Sequence, residues 1–120
     1  LGVSNIFEGT VTAVGDDTLT VESLGSEFAI SPDTARSVEE GDEVGFFVAN
    51  ERMNIDGGHE NRVDGVIRDT IFKGPYTEYA VRLDGSDEEV QVHKSTGQDL
   101  YEEGTAVNVS FEPSAAKLLK

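Results

Sequence analysis

Asn5-Ile6-Phe7-Glu8-Gly9-Thr10-Val11 recurs as Asn61-Arg62-Val63-Asp64-Gly65-Val66-Ile67, at an offset of 56. Working outward, Leu19-Thr20-Val21-Glu22 aligns with Val81-Arg82-Leu83-Asp84 at an offset of 62. Farther along, Glu39-Glu40-Gly41-Asp42-Glu43-Val44-Gly45-Phe46-Phe47-Val48 aligns with Glu102-Glu103-Gly104-Thr105-Ala106-Val107-Asn108-Val109-Ser110-Phe111 at an offset of 63. One match of this kind is easily accidental; three in the same order are not. The chain therefore reads as two related modules, residues 5–55 and 61–119, each long enough for one supersecondary unit. Most of the extra length of the second half falls around Ile71-Phe72-Lys73-Gly74-Pro75-Tyr76.

Each module is β in character. Phe7, Gly9, Val11 and Ala13 alternate with Glu8, Thr10 and Thr12, the period-2 pattern of a half-buried strand. Gly15-Asp16-Asp17, Gly25-Ser26 and Gly85-Ser86-Asp87 supply hairpin turns. The spacing predicts strands over residues 7–13, 18–22, 28–30 and 44–48, then 63–70, 77–83, 89–93 and 106–111. Ser31-Pro32-Asp33-Thr34 is expected to open an irregular link or a single helical turn, and Asn54 through Glu60 an exposed turn. No window carries a useful 3.6 period. The reading is an all-β chain of two OB-like Greek-key barrel modules with a pseudo-twofold internal repeat. A module of about 60 residues buries only about 60% of its extended-chain surface and is marginal alone. The two are expected to share one core and exchange strands, making residues 1–120 a single domain.

Composition bounds the function. Leu, Ile, Val and Phe make up 32 of the 120 residues, enough to build a core despite the charge. Net charge is −15, from 24 acids against 9 bases, which opposes binding to nucleic-acid phosphates and to anionic lipid. There is no cysteine, hence no disulfide, thiolate nucleophile or Cys-based metal site. No apolar run approaches the ~18 residues of a membrane span. Lacking an initiator Met and a signal-peptide pattern, the chain reads as a piece of a longer one.

Candidate chemistry is sparse. His59 and His93 stand alone, without zinc spacing. Asp84-Gly85-Ser86-Asp87-Glu88-Glu89 is acidic but lacks the ligand order of a calcium loop. Ser4, Ser95 and Ser114 have no elbow motif, and Gly57-Gly58 precedes no helix that could cradle a phosphate. Phe72, Tyr76 and Tyr79 could stack bases, but only Arg68, Lys73 and Arg82 lie near them, so core packing with one exposed loop tip is the better reading. No catalytic, cofactor-binding or metal-binding residue is expected. The acidity has three readings: a polyamine-binding surface, a basic partner, or a high-salt cytoplasm in which excess carboxylate keeps the chain hydrated. Its dispersion over nearly every turn favours the third.

The same motifs resemble a known family. The Asn5-to-Val11 opening, Glu51-Arg52-Met53, Gly65-Val66, Phe72-Lys73-Gly74, Tyr79-Ala80-Val81-Arg82-Leu83-Asp84-Gly85 and the close through Phe111-Glu112-Pro113 are similar to the transport-associated OB (TOBE) domain. That domain sits C-terminal to the ATPase domain of ABC importer subunits. Ala49-Asn50 stands where the family usually has Arg-Pro, and no G-x-x-x-x-G-K-[ST] is present, so ATP hydrolysis cannot reside here. The resemblance implies an accessory, regulatory domain that is no enzyme itself, closest to spermidine/putrescine-type subunits. ATP and Mg would belong to the parent ATPase domain. The implied partners are that ATPase domain, a second copy in a homodimer, and permease subunits reached through the parent. The implied location is cytoplasmic, peripheral to the membrane. Glu51, Arg52, Phe72, Lys73 and Tyr76 are the candidate contact residues. The alternative is a free-standing small-ligand binder of the molybdate-binding type, or an importer subunit of the sugar, iron or sulfate type.

Overall fold

The repeat is visible as strand order. A computed structural model of the chain describes residues 4–31, 37–97 and 100–119. Its strands are β1 (Ser4–Val14), β2 (Leu19–Ser23), β3 (Ser26–Ile30), β4 (Glu43–Ala49), β5 (Asn54–Ile55), β6 (Asn61–Phe72), β7 (Tyr76–Leu83), β8 (Glu89–Ser95), β9 (Ala106–Phe111) and β10 (Ala116–Leu118). They form two antiparallel five-stranded sheets, ordered β10-β4-β1-β2-β3 and β5-β9-β6-β7-β8. The fold is all-β, two OB-like modules in tandem. Read position by position, β1 matches β6, β2 matches β7, β3 matches β8 and β4 matches β9.

The fifth strands are exchanged. After β4, a 3-10 turn (Asn50–Arg52) carries the chain into β5, which pairs with β9 of the other module. After β9, a second 3-10 turn (Pro113–Ala115) leads to β10, which pairs with β4 of the first. The expectation of an exposed turn at Asn54 is corrected here: Asn54 and Ile55 are strand, with Met53 and Ile55 buried on either side of Asn54. A strand of two residues is too short to show its period in sequence. The expected link at Ser31-Pro32-Asp33-Thr34 lies largely outside the described residues.

Register corrects one alignment. Val11 faces Val21, and Ile67 faces Val81, so Val21 corresponds to Val81 rather than to Leu83. A slip of two residues keeps every side chain on the same face, which is why alternation alone cannot detect it. Both first strands carry an irregularity at the matching point, between Val11 and Ala13 and between Ile67 and Asp69. Both also exchange bonds with the loop before the fourth strand. Gly41 N–H donates to Val11 O and Gly104 N–H to Ile67 O, each at 2.8 Å.

Gly9 and Gly65 mark the closest approach of first to second strand. A Cβ at Gly9 would lie 2.0 Å from Glu22 O, and one at Gly65 would lie 2.6 Å from Arg82 O. Only glycine fits. The buried apolar residues form one cluster drawn from both sheets. Phe7, Phe28 and Phe46 of the first module meet Phe111 of the second, with ring centroids 5.0–6.3 Å apart.

Candidate functional site

The modules are joined by a reciprocal clamp. Asn5, at the start of β1, donates through Nδ2 to Gln91 O (2.9 Å) and accepts from Gln91 N–H (2.7 Å). Asn61, at the start of β6, does the same to Ala29, with both bonds at 2.7 Å. Gln91 and Ala29 are equivalent positions on the edge strands β8 and β3. Each asparagine amide thus occupies the place of a strand partner and satisfies backbone groups that an edge would leave open. Both asparagines are buried.

Beside the Asn5 clamp lies a cleft of about 340 Å³, lined by Ile6, Phe7, Leu24 and Val90 with Glu8, Glu88 and Glu89. Its Ser23 hydroxyl is spoken for, donating to Glu8 O at 2.7 Å. Leu24-Gly25 is a turn with both residues at positive φ (54° and 77°), which holds the Leu24 side chain out at the cleft. A shallower depression of about 300 Å³ on the second module is ringed by Asp56, Asp64 and Asp84. Both concavities carry negative charge.

A third cleft, of about 210 Å³, also has two carboxylates but adds a guanidinium, an imidazole and an amide. Glu51, Arg52, Asn54 and His59 line it together with Glu112. Arg52 Nη2 lies 3.8 Å from Glu112 Oε2, and His59 Nδ1 lies 4.0 Å from Glu112 Oε1. Asn54 Nδ2 donates to Arg52 O at 3.2 Å. One carboxylate therefore faces two cationic or donor groups.

The β6–β7 hairpin runs past the sheet. Its last rungs are Ile71↔Glu78 and Phe72↔Thr77, and Lys73 N–H donates to Tyr76 O at 2.9 Å to close the tip. Thr96 holds the tip from the side, its N–H donating to Pro75 O and its hydroxyl to Gly74 O. Phe72 is 71% exposed on this braced ribbon. Tyr76, by contrast, stacks on His93 with ring centroids 4.3 Å apart. His93 Nε2 lies 3.0 Å from Glu78 Oε1 and 3.3 Å from Asn50 Nδ2. It donates to Glu78 when it carries a proton there and accepts from Asn50 when it does not.

Residues 48–119 match the sequence profile of the TOBE domain family. The chain belongs to the TOBE domain family. No curated protein matches its sequence. Among solved structures it is similar to the cytoplasmic molybdate-binding protein ModG with molybdate bound. That likeness has a TM-score of 0.75 at 21% identity and covers 95% of this chain and 94% of that one. At this identity it establishes a shared fold, two OB-like modules in tandem.

Within this TOBE chain the five expected contact residues fall in two places. Glu51 and Arg52 line the Glu112 cleft; Phe72 and Lys73 stand exposed at the hairpin tip. Tyr76 is half-buried and reaches toward the inter-module 3-10 turn through the His93–Asn50 contact. Tyr79 is core. Sequence reasoning missed His93 and the two clamping asparagines. Asn5 and Asn61 did carry a signal, since both open the repeated heptapeptide. His93 carried none, because its partners come from a neighbouring strand, β7, and from the distant 3-10 turn at Asn50. Among the described residues no group of three His, Asp or Glu side chains is set to hold a metal ion, and no helix is long and apolar enough to cross a membrane. Asp84 to Glu88 is a turn, with Ser86 N–H on Leu83 O and Glu88 N–H on Ser86 Oγ.

Proposed function

We propose that this chain is a non-catalytic small-ligand-binding TOBE pair of the molybdate-binding kind. One observation carries the reading: the likeness to ModG extends over nearly the whole of both chains, so both modules have counterparts in a molybdate-binding protein. An oxyanion is held by N–H, hydroxyl and cationic donors, and the Arg52–His59–Asn54 cleft is where this surface gathers such groups. Glu112 now faces both Arg52 and His59. In this reading it gives way when an external oxyanion enters. The chain works in the cytoplasm, without a cofactor of its own.

A second reading is favoured by the carboxylates that line all three clefts, which repel oxyanions. In it the chain is the accessory C-terminal domain of an ABC importer ATP-binding subunit, of the spermidine/putrescine type, with ATP and Mg held by the parent ATPase domain. Glu51, Arg52, Phe72, Lys73 and Tyr76 then meet the ATPase domain, the second subunit of a homodimer, or the permease, at the cytoplasmic face of the membrane. The dispersed acidity fits a high-salt cytoplasm in either reading. A melting midpoint that stays flat as salt rises from ~0.1 M, where the Debye length is about 10 Å, would remove that inference.

Calorimetric titration separates the two readings. Molybdate or tungstate binding that is weakened by Arg52→Ala supports the first. A folded chain that ignores oxyanions, but takes up spermidine or needs the ATPase domain to show any effect, supports the second.

A further inference from the structure

We propose that copies of this chain associate head to tail, the β6–β7 hairpin tip of one copy seating in the Glu8–Glu88–Glu89 cleft of the next. This contact is independent of which ligand the domain binds.

The tip is built like an anchor. Phe72 is 71% exposed with Ile71 beside it, on a ribbon whose end is fixed by two bonds from Thr96. A large apolar side chain held rigidly in water loses little further entropy on docking, and such aromatic anchors dominate binding energies at interfaces. The hairpin end is also charge-balanced, Arg68 and Lys73 against Asp69 and Glu78, in a chain of net charge −15. Arg68 and Lys73 are exposed there, and neither pairs with a carboxylate among the described residues.

The cleft is the complement. Its apolar floor includes Ile6, 60% exposed, and Leu24, 42% exposed. Glu8, Glu88 and Glu89 stand on its rim, and no cation pairs with them among the described residues. A volume of about 340 Å³ accommodates a phenyl ring together with the stem of a lysine. Two copies of so acidic a chain repel each other in most orientations. This pairing brings the unpaired Arg68 and Lys73 of one to an acidic rim of the other, the arrangement that selects register and partner.

Geometry forbids the contact within one copy. The tip sits at the Tyr76↔Ser95 end of the β7–β8 ladder and the cleft at the Arg82↔Glu89 end. Six residues of strand separate them, about 20 Å at ~3.3 Å per residue. The surfaces are therefore different patches of the same molecule, which makes the contact heterologous. Successive copies add in one direction until a ring closes, or continue as a filament.

Sedimentation velocity on the full chain tests this, with concentration raised to about 1 mM because a contact of this small size is weak. The expected result is growth beyond monomer that is lost in Phe72→Ser and in the pair Glu88→Lys with Glu89→Lys. Circular dichroism melts confirm that both variants stay folded. The decisive arm mixes the two variants. The first retains an intact cleft and the second an intact tip, so the mixture forms one-to-one dimers and nothing larger, while each variant alone stays monomeric. A chain that is monomeric throughout, or oligomers that survive Phe72→Ser, overturns the proposal. So does failure of the mixture to dimerise.

Discussion

The two modules share a strand order, a first-strand irregularity, a glycine at the close approach and an asparagine clamp, but they differ in their hairpins. In the first, β1 returns into β2 through residues 15–18. In the second, β6 and β7 run on through two further rungs to a braced tip bearing Phe72 and Lys73. What recurs is what closing a small barrel requires. What does not recur is free of that requirement, and its braced tip holds Phe72, 71% exposed, and Lys73 in water.

The largest expected effect is at Phe111, whose counterpart in the first module is Val48. Phe111 packs against three phenylalanines of the first module, so it belongs to both halves of the core. Phe111→Ala is expected to cost about 3–5 kcal/mol and Val48→Ala clearly less. Denaturant titrations of the two variants give the comparison directly. Equal losses would mean the aromatic cluster does not join the modules.

Next come the glycines. Gly9→Ala places a methyl 2.0 Å from Glu22 O and Gly65→Ala one 2.6 Å from Arg82 O. Backbone must move in both, at about 3 kcal/mol or more, with the greater loss at Gly9. A reversed order of melting midpoints would show that the second module is the stiffer one at this point.

The clamps follow. Asn61→Ala and Asn5→Ala each remove two bonds and leave an edge-strand N–H and C=O unpaired, costing about 1–3 kcal/mol. Hydrogen exchange gives the sharper measurement. Asn61→Ala is expected to release the amide of Ala29 while leaving that of Gln91 protected, and Asn5→Ala the reverse. Release of both amides by either variant would mean that the clamps open as one unit.

The same contrast explains what the sequence made legible. The repeated heptapeptide exposed the first strands, because Gly9 and Gly65 are each demanded by a neighbouring carbonyl and so recur as identities. The strand at Asn54 and Ile55 and its exchange between modules were not legible as elements, since two residues cannot display alternation and the partner, β9, lies far along the chain. The exchange was expected only from the size of the modules. Of the candidate site, the exposed Phe72 and Lys73 were readable from the unmatched insertion. The stack of Tyr76 on His93 was not, because it depends on how the ends of β7 and β8 meet the inter-module turn.

The smallest expected effect tests whether the longer hairpin is free of structural duty. Val14 in the first module and Phe72 in the second are both exposed residues near hairpin ends. Neither contributes to the shared core, and the bonds that brace the second tip run through the backbone of Gly74 and Pro75 and the side chain of Thr96. Removing the Phe72 ring leaves each of those bonds in place. Val14→Ser and Phe72→Ser are therefore both expected to change stability by no more than about 0.5 kcal/mol. Melts of the two variants at a concentration where the chain is monomeric make the check. A loss above about 1 kcal/mol for Phe72→Ser alone would place the ring in the fold's own packing and leave it unavailable to a partner. Equal, near-zero changes leave Phe72 as an apolar group that the fold maintains in water without using it, and a binding partner then becomes the physical reason for it.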